Sequence, residues 1–173
     1  KIWIGKGLQL QQGYGMTETG PSVFSLPKEH ALSKVGSSGK KMPFTNVRIV
    51  DDQGEDVAKG ETGELWVQGG NIIESYWKRP EANNKDFVDG WFRTGDACLC
   101  DDEGFYYIVD RTKDMYISGG ENVYPAEIES IIYQLEGVSE AAVIGLADEK
   151  WGEIGCVVVV VKEGMALTEH DVL

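Results

Sequence analysis

The sequence predicts an α+β fold in which a strand-rich first part is followed by a smaller unit that mixes one helix with strands. Up to about residue 110, short apolar runs alternate with turns built from glycine, asparagine and aspartate. Beyond that point, a segment with a helical apolar repeat is followed by two apolar runs, the second nearly continuous in valine. Hydrophobic residues make up 42% of the 173 residues, which is enough to form a core.

The strands of the first part are predicted from alternation and from the turns beside them. LQLQQ, NVRIV and GELWVQGG are each typical of a strand, and ACLCDDEGFYYIVDR is typical of a hairpin with its turn at Asp101–Gly104. The polar segment YWKRPEANNKDF favours a turn and one short helix. The stretch QGYGMTETGP, residues 12–21, is predicted as a loop between a strand and a helix. We expect this part to be the β-rich edge of a larger structure.

The second part begins with an amphipathic helix in YPAEIESIIYQLEGV. One apolar stripe is expected, and Pro125 suits the first helical position, whereas Gly137 is placed to end the helix. The runs EAAVIGL and CVVVVVK predict strands covered on both faces, and LTEHDVL predicts the start of another helix. The residues of the stripe are Ile128, Ile131, Ile132 and Leu135.

A domain boundary is predicted at the charged segment Asp110–Asp114, which suits a surface linker. This boundary divides the chain into residues 1–110 and residues 111–173. The chain starts without a methionine and stops inside a predicted helix, so we expect it to be a piece of a longer protein.

Charge and cysteine content limit the classes of partner. The net charge of -13 argues against nucleic acid and anionic membranes, because both require a basic surface. A small phosphorylated ligand remains compatible, and no apolar run is long enough to predict a membrane span. Cys98, Cys100 and Cys156 form no CxxC pair, so reduced thiols in a cytoplasmic protein are expected rather than a metal site.

Three motifs contain side chains suited to binding a nucleotide. In QGYGMTETGP, Tyr14 suits stacking on a base, Thr17 suits a phosphate oxygen and Glu18 suits Mg²⁺; the alternative is a turn capped by threonine. In GWFRTGDAC, Asp96 at the end of a loop suits the two hydroxyls of a ribose; the alternative is an aspartate in an ordinary turn. The third motif, DRTKDMYISGG, contains Arg111.

The third motif combines a cation with a glycine turn. Arg111 suits a ribose or phosphate, and Ser118-Gly119-Gly120 forms an edge free of large side chains; the alternative is a solvated linker. GSSGKKMP lacks the first glycine of a Walker motif and has Lys41 in place of its serine or threonine, so a solvated turn is expected.

In this order, YGMTETG, GELWVQGG, GWFRTGD and VDRTKDMYISGGENVYPAEIE resemble the successive core motifs of the adenylate-forming superfamily. This superfamily contains acyl-CoA synthetases, luciferases and the adenylation domains of peptide synthetases. The resemblance implies that ATP and Mg²⁺ activate a carboxylic acid as an acyl-adenylate, from which CoA displaces AMP. It also implies that residues 1–110 end a large AMP-binding domain and that residues 111–173 begin a small mobile one.

The resemblance implies roles for the nucleotide-site residues. Tyr14 stacks on adenine, and Thr17 and Glu18 are the candidate catalytic residues, Thr17 at the α-phosphate and Glu18 at Mg²⁺. Asp96 and Arg111 contact the ribose. The segment expected to lie along the nucleotide consists of Gln12, Gly13, Tyr14, Gly15, Met16 and Thr17.

The resemblance also implies roles in the second part. Lys113 matches the hinge position, and Ser118 and Gly119 match the segment that borders the CoA channel. The superfamily's phosphate loop and terminal catalytic lysine are not in this sequence, so the chain is expected to be an inactive fragment of an AMP-forming acid–thiol ligase. Within the superfamily, ISGGENVYPAEIE most resembles acyl-CoA synthetases for fatty or aryl acids, and a fatty-acid CoA ligase is the preferred subclass. The alternatives are a carrier-protein-loading adenylation domain and a non-catalytic interaction remnant; oligomerisation stays open.

Overall fold

The structure of the protein, a computed structural model, describes residues 6–8 and 10–172. It is strand-rich with few helices, which confirms the predicted α+β class. The chain divides into two compact units between Ile108 and Val109, just before the charged Asp110–Asp114 segment. No helix among the described residues has both the length and the apolar character needed to cross a membrane.

The first unit contains two β-sheets. The smaller sheet has the strand order β1-β2-β3, and its strands are Gly13–Met16, Gly20–Ser25 and Lys40–Lys41. The larger sheet has the order β4-β5-β7-β6, and β8 also pairs with β7. Its strands β4 to β8 are Thr45–Val50, Gly63–Gly69, Phe87–Val88, Trp91–Cys100 and Tyr106–Arg111, and the last three residues of β8 already belong to the second unit. Helix α1, Pro80–Asp86, precedes β6 in the chain and confirms the short helix predicted there.

Side chains from both sheets form the core of this unit. The rings of Phe24 and Tyr106 stack with centroids 4.4 Å apart. Burial raises the pKa of the Cys98 thiol to about 12, so this cysteine is a neutral, packed side chain at physiological pH. The buried members of the core are Val23, Phe24, Leu65, Val67, Phe92 and Cys98.

The hairpin predicted around Asp101–Gly104 is confirmed. Asp101 closes the turn, because its Oδ1 accepts hydrogen bonds from the backbone nitrogens of Glu103, at 3.0 Å, and Phe105, at 2.9 Å. The Gly104 nitrogen donates to the Asp101 carbonyl at 3.0 Å. Aspartate favours turns because its side-chain oxygen can accept hydrogen bonds from the backbone nitrogens that follow it.

Three predictions for the first unit are wrong. The described part of LQLQQ lies in no strand, while Gln9 is outside the described residues. The segment predicted as a loop around Tyr14 is a strand followed by a 3₁₀ turn. The segment GSSGKKMP, predicted as a solvated turn, contains the buried residues Ser37 and Ser38. The Ser38 nitrogen and the Ser37 hydroxyl both donate to the Tyr106 carbonyl, at 2.8 Å and 2.9 Å.

The second unit contains a four-stranded sheet of order β10-β9-β12-β11. Strands β9 to β12 are Tyr116–Ser118, Glu121–Val123, Val138–Asp148 and Gly152–Val161. Helix α2, Pro125–Ile132, starts at the predicted proline, and helix α3 is Glu169–Val172. The core packs around buried side chains of β9, α2 and β11, namely Tyr116, Ile132, Val138 and Val143.

Two predictions about the helix stripe and its end are wrong. Helix α2 ends at Ile132 rather than at Gly137, and Ile131 of the predicted apolar stripe is 65% exposed. Gly137 serves packing instead, because a Cβ added there would lie 2.9 Å from Cγ of Leu167. Glycine often ends helices, but Gly137 is required here by its close contact with Leu167.

The prediction that the valine-rich strands are covered on both faces is also wrong. Val157 and Val159 pack against the core of the second unit, whereas Val158 and Val160 are 54% and 50% exposed. Ile144 and Leu146 of β11, also exposed, lie opposite Cys156 and Ile154 on β12. Because residues paired across two strands lie on the same face of a sheet, this sheet has one covered and one open apolar face.

Candidate functional site

Two antiparallel strands and one turn form the first part of the candidate site. Tyr14 lies opposite Phe24 and Met16 lies opposite Gly20, with a register shift between these pairs. At the shift, a Cβ added to Gly15 would lie 2.7 Å from the Gly20 carbonyl oxygen. Since no side chain fits at that distance, the second glycine of GYG allows the backbone of β1 to approach β2 closely.

The 3₁₀ turn Thr17–Thr19 gives its members different surroundings. Thr17 is exposed, Glu18 is half-buried and Thr19 is fully buried. The Thr19 hydroxyl accepts a hydrogen bond from the Met16 nitrogen at 3.0 Å, which closes the turn. Thr19 is thus the structural threonine of the motif, and Thr17 is the one available to a ligand. Thr17 and Thr19 flank the same glutamate and are equivalent in the sequence pattern, so the role of Thr19 could not be predicted from the motif.

Asp96 lies inside a strand rather than at the end of a loop, which corrects the sequence prediction. Strand β7 contains a β-bulge opposite Leu65, where Gly95 has a φ of 70°. The Thr94 hydroxyl donates to the Leu65 carbonyl at 2.8 Å and accepts from the Asp96 nitrogen at 3.1 Å. A bulge next to a site commonly changes the direction of one side chain. Thr94-Gly95 therefore fixes where the Asp96 carboxylate lies.

The Tyr14 hydroxyl donates a hydrogen bond to Oδ2 of Asp96, with 2.5 Å between the oxygens. The two residues are 82 positions apart in the sequence. Asp96 is only 4% exposed, and burial together with this hydrogen bond raises the pKa of Tyr14 above its ordinary value. The hydroxyl therefore stays protonated and remains a donor at neutral pH. The structure joins the first two sequence motifs at one carboxylate.

The Tyr14 ring is only partly free for a ligand. One side packs against the core of the first unit, with its centroid 5.6 Å from that of Phe24. Gln12, Gly13 and Gly15 beside it are exposed, and the Gln12 carbonyl accepts from the Leu26 nitrogen at 2.8 Å. The segment predicted to lie along a nucleotide is thus an ordered strand with an exposed edge.

Glu18 is the second carboxylate of the first unit's candidate site. Its Oε1 accepts a hydrogen bond from the Tyr76 hydroxyl at 2.9 Å. Among the described residues, no group of three or more histidine, cysteine, aspartate or glutamate side chains could hold a metal ion. Magnesium is typically held by one or two protein carboxylates together with substrate phosphates and water. A lone Glu18 therefore fits a metal that arrives with a phosphorylated ligand, not a metal held by protein alone.

In the second unit, Asp110 organises the segment that contains Arg111. Its Oδ1 accepts from the Arg111 nitrogen at 2.7 Å, and its Oδ2 accepts from the Ala126 nitrogen at 2.9 Å, in the first turn of α2. A carboxylate at a helix N-terminus satisfies backbone donors that have no partner within the helix. The Asp114 nitrogen donates to the Arg111 carbonyl at 3.1 Å, forming a turn whose Lys113 is exposed.

Ser118 and Gly119 lie at the hairpin between β9 and β10. Gly119 and Gly120 have φ values of 61° and 91°, as a two-residue turn of the primed type requires. A Cβ on Gly119 would lie 2.9 Å from Cε3 of Trp151, and the Gly119 nitrogen donates to the Trp151 carbonyl at 2.8 Å. The glycine pair is therefore required by the backbone, and Trp151 is a neighbour of this turn that the sequence pattern does not indicate.

Comparisons with known proteins identify the family. The sequence model of the AMP-binding enzyme family matches residues 2–77, and the model of the AMP-binding enzyme C-terminal domain matches residues 127–173. A feruloyl-CoA synthase of Amycolatopsis sp. is 46% identical over 171 residues, which cover 99% of this chain and 35% of that protein. The long-chain-fatty-acid–CoA ligase FadD13 of Mycobacterium tuberculosis is 52% identical over 160 residues, covering 92% of this chain and 32% of the relative.

The chain thus spans about a third of the length of these curated relatives.

Solved structures of adenylate-forming enzymes are also similar to this chain. An o-succinylbenzoate CoA synthetase from Bacillus subtilis in complex with AMP superposes with a TM-score of 0.90 at 37% identity, covering 99% of this chain and 34% of that one. The same enzyme with ATP and magnesium ion gives 0.86 at 39% identity, covering 94% and 34%. The chain belongs to the family of AMP-binding, adenylate-forming enzymes.

Proposed function

We propose that the protein containing this chain is an AMP-forming acid–thiol ligase. It would use ATP and Mg²⁺ to convert a carboxylic acid into an acyl-adenylate with release of pyrophosphate, and transfer the acyl group to CoA with release of AMP. The relatives named for CoA ligation support this proposal, as does the similarity to a synthetase solved with ATP and magnesium ion.

The observation that carries the proposal is the contact between Tyr14 and Asp96, with 2.5 Å between Tyr14 Oη and Asp96 Oδ2. A buried carboxylate beside an aromatic ring suits a nucleoside, because the carboxylate accepts hydrogen bonds from ribose hydroxyls while the ring offers a flat surface. We assign Asp96 to the ribose and Tyr14 to the adenine. Thr17, exposed at the adjoining turn, is assigned to the α-phosphate.

The remaining site residues are assigned on the family resemblance. Gln12, Gly13, Gly15 and Met16 would line the nucleotide, and Glu18 would bind the magnesium ion that accompanies ATP. In the second unit, Arg111 would contact the ribose and Lys113 would be the hinge. Ser118 and Gly119 would border the CoA channel.

The chemistry requires one cleft to serve two displacements. Joining AMP to the acid turns a poor leaving group into a good one, so that a thiol can attack the carbonyl carbon. A charged, ordered ribose contact holds the adenylate between the two steps, which converts the second step into a reaction of pre-positioned groups. These are the tasks that Asp96 and Tyr14 would perform.

Substitution of Asp96 tests the function. In the intact protein, Asp96→Asn should weaken use of ATP by ~1–3 kcal/mol, because a charge-assisted hydrogen bond to the ribose is lost. The measurement is acid-dependent exchange of pyrophosphate into ATP, with KM for ATP and kcat determined separately. Asp52→Asn, at an exposed turn of the same unit, is the matched control and should behave as wild type.

An unchanged KM for ATP in Asp96→Asn would remove Asp96 from the site. Absence of any acid-dependent pyrophosphate exchange by the wild-type protein, over a panel of fatty and aryl acids, would overturn the ligase function itself.

We further propose that the carboxylic acid activated by the ligase is a fatty acid. It is supported by the segment ISGGENVYPAEIE and by the similarity to a long-chain-fatty-acid–CoA ligase, whereas the feruloyl-CoA synthase favours an aryl acid. Comparing kcat/KM for the two acid classes decides between them. Comparing free CoA with a carrier-protein thiol as the acceptor tests the alternative of a carrier-loading enzyme.

A further inference from the structure

The proposed function gives no role to Tyr76, whose hydroxyl contacts the Glu18 carboxylate, or to Asn83, whose side chain bonds to the backbone of Tyr76. We propose that Tyr76, held in place by Asn83, positions the Glu18 carboxylate for the magnesium ion that accompanies ATP. The inference rests on the proposed role of Glu18. Tyr76 and Asn83 are positioning residues in this proposal, since neither is assigned a contact with the nucleotide or the reacting atoms.

The hydrogen bond between Tyr76 and Glu18 has a defined direction. Tyr76 Oη lies 2.9 Å from Oε1 of Glu18, and a carboxylate can only accept. The phenol hydroxyl is therefore the donor of this hydrogen bond, and the Glu18 carboxylate is its acceptor.

A neutral phenol orients a carboxylate without cancelling its negative charge, unlike the lysine that pairs with Asp101 in the same unit at 2.7 Å. Among the described residues, no salt bridge involves Glu18, and its Oε2 takes part in no hydrogen bond. One oxygen is therefore held while the other remains available to a cation, with the full charge that attracts it.

Tyr76 itself is held rigidly. The Asn83 side chain in α1 bonds to both backbone groups of Tyr76: its Oδ1 accepts from the Tyr76 nitrogen at 2.7 Å, and its Nδ2 donates to the Tyr76 carbonyl at 3.1 Å. The Tyr76 ring contacts Phe87 edge to face, with centroids 5.8 Å apart, and Phe87 packs 5.1 Å from Phe92 of the core. A fixed backbone and a packed ring leave the hydroxyl little freedom.

The same segment also holds the backbone of the turn. The Ile73 nitrogen donates to the Glu18 carbonyl at 2.9 Å, and the Asn71 side chain donates to the Thr19 carbonyl at 2.7 Å. Residues 71–76 therefore hold both the main chain and the side chain of Glu18. Ordering a ligand side chain before the metal arrives removes an entropic cost from binding.

The test is the affinity of the intact protein for ATP, measured by isothermal titration calorimetry with excess Mg²⁺ and again with EDTA. In the wild type, Mg²⁺ is expected to tighten binding. Tyr76→Phe keeps the ring but removes the hydroxyl. Its affinity for ATP in EDTA should be unchanged, whereas the increase in affinity caused by Mg²⁺ should fall about tenfold. This is the lower end of the losses in metal affinity that follow removal of a residue that orients a metal ligand. Asn83→Ala frees the backbone of Tyr76 and should show a smaller loss of the same kind.

Tyr107→Phe is the matched control, because the Tyr107 hydroxyl also donates to a carboxylate, Asp101, at 3.4 Å, but outside the site. This variant should retain the full Mg²⁺ effect. In a Glu18→Gln background, Tyr76→Phe should add nothing, since the carboxylate that it orients is gone.

The outcomes separate this inference from the proposed function. If the wild type binds no ATP with or without Mg²⁺, the ligase function is overturned and the inference with it. If the wild type shows the Mg²⁺ effect and both Tyr76→Phe and Asn83→Ala retain it, the inference alone is overturned. Equal losses of affinity in Mg²⁺ and EDTA would assign Tyr76 to the fold or the nucleotide, and would equally overturn the role in metal binding.

Discussion

At the scale of single residues, Thr17, Glu18 and Thr19 show how one tight turn separates roles. Successive side chains of a 3₁₀ helix are about 120° apart, so three consecutive residues face three different surroundings. Thr17 faces solvent, Glu18 accepts from Tyr76 and Thr19 is buried. The composition of the motif indicates polar chemistry, but only the turn shows which threonine maintains the structure.

The buried Thr19 hydroxyl gives a stability prediction. Thr19→Val keeps the shape of the side chain but removes the acceptor of the Met16 nitrogen, so the free energy of unfolding should fall by about 1–3 kcal/mol. Urea unfolding followed by fluorescence measures this. Thr19→Ser restores the hydroxyl and should recover most of the loss, and Thr17→Val, on the surface, should change stability by less than about 0.5 kcal/mol. A larger loss in Thr17→Val than in Thr19→Val would reverse the two assignments.

Among the strands, β7 contains a bulge that could not be predicted from the sequence and is followed by a hairpin turn that could. The hairpin that follows it was predicted correctly, because Asp101 bonds to the backbone next to it in sequence. The bulge that aims Asp96 was not predicted, because it depends on the pairing of β7 with Leu65 of β5. Local hydrogen bonds can be recognised in a sequence, whereas strand register requires the partner strand.

The turn of this hairpin gives a prediction on pH. Although burial opposes it, hydrogen bonding from Lys34 and from the backbone of Phe105 lowers the pKa of Asp101 below its ordinary value. A carboxylate with a lowered pKa in the folded state stabilises the protein fully above its unfolded pKa of about 3.9, and this contribution is lost as pH falls through the folded value.

Asp101→Asn keeps the acceptor of the turn but loses the charge that pairs with Lys34. Between pH 5 and the acid transition, the unfolding free energy of this variant should therefore depend less on pH than that of the wild type. Urea unfolding of both proteins across this pH range, at constant ionic strength, measures the difference. Parallel pH profiles for the two proteins would show that Asp101 is not a source of the acid sensitivity. Asp52→Asn serves as the exposed control.

At the scale of the whole molecule, the second unit has a sheet with one covered and one open apolar face. The exposed side chains of this face come from both long strands, and they include Ile144, Leu146, Ile154, Val158 and Val160. Contiguous apolar surface of this kind promotes association in water. We expect the 173-residue chain to self-associate through this face in solution.

Substitution of the open face tests that expectation. The double variant Val158→Thr with Val160→Thr should lower the association of the chain without lowering its stability by more than about 0.5 kcal/mol, because both side chains are exposed. Sedimentation velocity over a concentration series measures the effect. The neighbouring Val157→Thr with Val159→Thr, on the covered face, should instead destabilise the fold. Unchanged association in the first variant would exclude this face as its cause.

Prediction from the sequence was most successful where neighbours in the chain determine the outcome. The helix start at Pro125, the Asp101 turn and the order of the four motifs all depend on short segments. It failed where burial decided, as at exposed Ile131, at the half-covered valine strands and at the buried Ser37. Periodicity shows which residues share a face, but not whether another element covers that face.

The fold class, the family and the residue types available for chemistry can be predicted from the amino-acid sequence, because motifs and propensities are properties of short stretches. Three features are visible only in the folded chain: Tyr14 contacts Asp96 across 82 residues, Thr19 is buried while Thr17 is exposed, and Tyr76 lies against Glu18. The physical reason is that these contacts depend on strand register, on a bulge and on packing between sheets. Each of these is an interaction between distant parts of the chain, which no single stretch of sequence contains.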